Sequence, residues 1–119
     1  MSNSYFSYEL SRIRKSLKEQ RVLIGGHTEL RCMKRGYFRK DIISCLNSGE
    51  ITRVQNDSDD TKYIIEGEDS DGNPVVAVVA IRNMVEFDFK LVTFMPPVDN
   101  KRFSRVIGIK DTISYRVAI

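Results

Sequence analysis

His27, Arg31 and Arg35 fall four residues apart in His27-Thr-Glu-Leu-Arg31-Cys-Met-Lys-Arg35-Gly36. On a helix they stand one above the other along one face. His27 opens that helix, and a neutral imidazole beside two fixed cations suits general-base work on a phosphate ester. The base takes a proton while guanidinium forks hold the phosphoryl oxygens. Lys34, Arg39 and Lys40 add positive charge at the helix end, and Tyr37 and Phe38 interleave aromatics with them, as single-strand nucleic-acid binders do. A plainer reading stands beside this one. Basic residues along a helix are commonly a solvated face, and aromatics in a link between helices commonly pack.

Other chemistries find little to build on. One histidine and two cysteines, Cys32 and Cys45, without a C-x-x-C pair do not make a zinc site. The two cysteines fall at apolar helix positions and read as small buried groups. The sequence contains no G-x-x-x-x-G-K-[ST], no G-x-G-x-x-G and no G-x-S-x-G. Asp57-Ser-Asp-Asp60 and Asp69-Ser-Asp71-Gly72 lack the full calcium-loop pattern, and Asx turns are the better reading. No metal and no cofactor is expected.

The elements that must position His27 follow from periodicity. Phe6, Leu10, Ile13 and Leu17 predict an amphipathic basic helix over 6–20. Val22-Leu-Ile24 is a short strand or an extended link, ended by Gly25-Gly26. A helix follows over about 27–35, started by Gly26 or Thr28 and closed by Gly36, which suits the positive φ of a C′ residue. Another covers about 39–47. At Gly49 the period changes from 3.6 to 2. Strands are predicted from Ile51, over 62–66, over 75–81 and over 89–95, with polar turns at 56–60 and 69–74 and a stop at Pro96-Pro97. Helices first and a meander after point to an α+β domain, with N-terminal helices packed on one face of an antiparallel sheet. Strand-like stretches at 105–109 and 112–119 read as added edge strands.

The 119 residues amount to one domain, 1–119, with a core at about 22–97 and additions at 6–20 and 98–119. Net charge is +3 but is unevenly spread. Residues 1–49 carry ten basic and four acidic side chains, 50–97 four and ten, and 98–119 five and two. Such a chain presents a positive face to a polyanion, docks its halves on each other, or binds an acidic protein. Arg82, Glu86, Asp88 and Lys90 interrupt the most apolar region, so no membrane span is expected, and the first residues lack a secretory pattern. A cytoplasmic location is the expectation.

The stretch from about Val22 to Pro96 resembles a small bacterial domain family of unknown function, often treated as toxin-like relatives of the RelE and barnase ribonucleases. The resemblance is carried by Val22-Leu-Ile24, His27, Arg31, Arg35-Gly36, Gly49-Glu50-Ile51, Tyr63, Val75–Val79 and Thr93-Phe-Met-Pro96. Family members commonly have Ser or Thr just before the His and at the start of the next helix; this chain has Gly25-Gly26 and Tyr37-Phe38-Arg39 there. The resemblance implies a RelE/barnase-like fold and metal-independent RNA cleavage within a toxin–antitoxin or mobile-element system. His27 would be base or acid, Arg31 and Arg35 phosphate clamps, and Thr93 a hydrogen-bonding neighbour. Its partners would be RNA and an antitoxin or other protein. The alternative is a non-enzymatic protein-binding module, such as an inhibitor, immunity or accessory factor, on the same fold. Ion pairs from Arg31 and Arg35 to Glu29, Asp41 or Glu50 would favour it.

Overall fold

The computed structural model describes residues 6–56, 60–83 and 88–97. Among them the order is α1 (Ser7–Lys18), β1 (Val22–Leu23), α2 (Gly26–Lys34), α3 (Arg39–Ser48), β2 (Glu50–Asn56), β3 (Thr61–Glu68), β4 (Pro74–Asn83) and β5 (Asp88–Met95). The expected α+β plan holds, with the helices ahead of a β2–β5 meander. The stretches at 105–109 and 112–119 lie outside the described residues.

The sheet runs β1-β5-β4-β3-β2. It is mixed rather than purely antiparallel. β1 joins its edge in parallel, with Val22 opposite Phe89 and Leu23 opposite Lys90. A two-residue strand has no periodicity to read, so its partner and direction were not available from sequence.

Period-2 alternation divides the sheet into two faces. On one, Ile51, Tyr63, Ile65, Val75, Ala77, Val79, Phe89, Leu91 and Phe94 form the main core with Ile13 of α1, Cys32 of α2 and Ile42, Cys45 and Leu46 of α3. On the other, Ile64, Val76 and Val78 are buried, with Val92 and Met95 against them. The cysteines are buried free thiols, and burial pushes the Cys45 thiol up to about 12. Tyr37 is also core, its ring edge-on to Phe94 at 4.7 Å between centroids. Phe38 stays 51% exposed.

Helix ends are set by local chemistry. α2 is capped by Gly25 and closes at Gly36, φ 85°. There Gly36 N–H donates to the Met33 carbonyl and Tyr37 N–H to that of Cys32, the paired bonds of a Schellman turn. α1 closes the same way, with Gln20 at φ 60° in the left-handed position. α3 approaches β3 backbone to backbone. A Cβ on Gly49 would lie 2.7 Å from the carbonyl oxygens of Cys45 and Glu66, so only glycine allows this contact. Arg14 of α1 donates to the carbonyls of Leu46 (2.9 Å) and Gly49 (2.7 Å), satisfying the end of α3.

Candidate nucleic-acid site at the α2–β5 junction

β1 covers only the first part of the β5 edge, and α2 packs against β5 beyond it. Arg35 fastens the two, its Nη1 donating to the Phe94 carbonyl at 3.0 Å. The rotation of α2 follows from what each residue touches. Cys32 is in the helix-side core, while Thr28 lines a cleft with Lys62, Lys90 and Val92. At about 100° per residue, Cys32 lies about 40° from Thr28 on one side, and Arg35 and Arg31 about 20° and 60° on the other. The turn from Cys32 through Thr28 therefore carries Arg31 away from the core, and Arg31 and His27 are both exposed.

The cleft has a volume of about 540 Å³. Its floor is one row across three strands: Lys62 pairs with Ala80, and Ala80 with Lys90. Thr28 closes it from α2, and Asp60 lies at its border. A β-bulge in β5 adds a neighbour. Val79 pairs with Leu91 and Val78 with Thr93, so Val92 is the extra residue. Thr93 then shares the face of Val78, and half-buried, it lies one residue from the carbonyl that holds Arg35.

Two of the carboxylates that could have neutralised the arginines are engaged elsewhere. Glu29 accepts from Arg39 at 2.6 and 3.3 Å. The hydrogen bond from Arg39 holds the Glu29 carboxyl below its usual range. Asp41 accepts from Phe38 N–H at 2.8 Å and from Ser70 N–H and Oγ at 3.1 and 2.7 Å. Arg31 has no ion pair among the described residues. Arg39 is thus tied to α2, while Lys34 and Lys40 are exposed. Thr28, Lys62 and Lys90 join the site without having been expected there from the sequence. Alternation was a usable signal for the lysines, since Lys62 directly precedes the core residue Tyr63 and Lys90 sits between Phe89 and Leu91.

The arrangement can hold a polyanion, with cations and hydroxyls along a helix and an adjoining strand row. Among the described residues no group of three metal-ligating side chains forms, and no helix is long and apolar enough to cross a membrane. Residues 24–96 match the model of a domain of unknown function, DUF4258. Comparison with the curated proteins and with the solved structures gives no match. The matched segment spans α2, α3 and β2–β5, and leaves α1 and β1 outside.

Proposed function

This chain belongs to the DUF4258 family of domains, and from the side chains at its α2–β5 junction we propose a toxin-like, metal-independent ribonuclease. RNA would lie along α2 and the Lys62–Lys90 row. The observation that carries this reading is Arg31, exposed, without an ion pair among the described residues, and three residues along α2 from Thr28, which lines the cleft.

His27 acts as the base. It takes the proton of a ribose 2′-OH, and that oxygen forms a bond to the adjacent phosphorus. The bond from phosphorus to the 5′ oxygen breaks, and the 5′ oxygen takes a proton from water. The products are a 2′,3′-cyclic phosphate and a 5′-hydroxyl, and His27 returns its proton to solvent. The nucleophile is the RNA's own hydroxyl, so no step calls for a metal. Arg31 stabilises the charge developing on the phosphoryl oxygens. Arg35 holds the helix on β5, and Lys62 and Lys90 bind flanking phosphates.

A second reading is a protein-binding module without catalysis. The engagement of Glu29 with Arg39 favours it, because that carboxylate is then not available as a partner for His27. RNA binding separates the two. Affinity for a single-stranded RNA should fall linearly with salt on a log–log plot. Arg31→Ala and Lys90→Ala should each weaken binding and reduce that slope by about 0.7, the share of one phosphate on a single strand. Absence of binding at low salt would leave the protein-binding reading.

A further inference from the structure

α1 lies outside the matched family segment, and its contact with that segment creates a second concave surface. A groove of about 740 Å³ runs between α1, α3 and the start of β2. Its lining along α1 extends from the N-cap Phe6 to Lys18, about 18 Å at 1.5 Å per residue, or just over three helical turns. Phe6, Leu10 and Leu17 form one wall, and Ile43 and Ile51 the other. Ile43 is 45% exposed, whereas the other large apolar side chains of α3, Ile42 and Leu46, are buried. Lys15 and Lys18, both exposed, stand on the rim. The other charges there are committed or opposed: Arg14 to two carbonyls, and Glu50 at the β2 end.

We propose that this groove docks an acidic amphipathic helix of a partner protein. The apolar floor suits leucine-type side chains at i, i+3, i+4 and i+7. The rim lysines select a partner whose flanking positions are Asp or Glu. A second copy docking two-fold through this face would present the same basic rim rather than an acidic one. RNA would gain little from an apolar floor. The surface lies on α1, apart from His27 and Arg31, so partner docking does not depend on the proposed cleavage site.

The test uses the full chain and a labelled 18-residue helical peptide with leucines in that spacing and glutamates elsewhere, followed by fluorescence anisotropy. A second peptide carries lysine for every glutamate. The glutamate peptide should bind and the lysine peptide should not. Lys15→Glu/Lys18→Glu and Ile43→Asp should each weaken binding about tenfold or more. Arg31→Ala should leave it unchanged. Thermal melts confirm that each variant is folded. No binding of the glutamate peptide, equal binding of both peptides, or indifference to both groove variants would overturn the proposal. So would a loss of RNA affinity in Lys15→Glu/Lys18→Glu matching its loss of peptide affinity, since the rim would then be a polyanion surface. Loss of RNA binding in Arg31→Ala alone concerns the α2 site and leaves this proposal standing.

Discussion

Arg31 and Arg35 share a helix face in the sequence and have different roles in the structure. Arg35 reaches the Phe94 carbonyl at 3.0 Å, whereas Arg31 points away from the core without an ion pair among the described residues. Their spacing, with His27, was legible as an i, i+4, i+8 row. Which of them is engaged was not, because that depends on β1 ending at Leu23 and leaving β5 carbonyls to an adjacent helix. Arg35→Ala should therefore lower stability by about 1–2 kcal/mol, a charged donor lost from a half-buried carbonyl. Arg31→Ala should stay within about 0.5 kcal/mol of wild type, as for a surface residue outside any network. Urea melts of the two variants measure this, and equal losses would mean that Arg31 is structural too.

Among the elements, α3 shows how a buried carboxylate places a helix. Asp41 Oδ2 caps the helix start through Phe38 N–H, while Oδ1 holds Ser70 in the β3–β4 turn. Burial pushes its pKa up, but the hydrogen bonds from Phe38 and Ser70 together outweigh that and hold the carboxyl below its usual value. The folded value is the lower one, so the stabilisation is complete above the unfolded pKa. It is lost as pH falls through the folded value. Asp41→Asn, with one acceptor oxygen in place of two, should lower the melting temperature at pH 7, and the difference from wild type should shrink on acidification below about pH 4. A gap that persists at pH 2 would point to packing rather than charge. The helix spans, the Gly36 stop and the Asp69 turn were readable, since each rests on local chemistry. In that turn the Asp69 Oδ1 accepts from Asp71 and Asn73 N–H, both at 2.9 Å. The link from Asp41 to Ser70 spans 29 residues, and no periodicity encodes it.

At the scale of the whole molecule, the described residues form a cleft and a groove that both carry positive side chains. The cleft at α2 is polar and floored by lysines, and the groove at α1 is apolar and rimmed by them. The excess of basic residues in 1–49 predicts a positive face on that part of the chain. It did not reveal that Lys62 and Lys90, from the acidic middle of the chain, align across Ala80. Strand order creates that row, and the β5 bulge that turns Thr93 onto the same face arises from a register shift with no signature in composition. The claim that joins these observations is cleavage of RNA at the α2–β5 junction by His27. Its most direct test is incubation of the wild type and His27→Ala with a labelled single-stranded RNA in EDTA, with product ends identified. The wild type should leave 2′,3′-cyclic phosphate and 5′-hydroxyl ends, and a folded His27→Ala should cleave about 10²–10⁴-fold more slowly. Intact RNA with the wild type, or equal cleavage by both proteins, would contradict that claim.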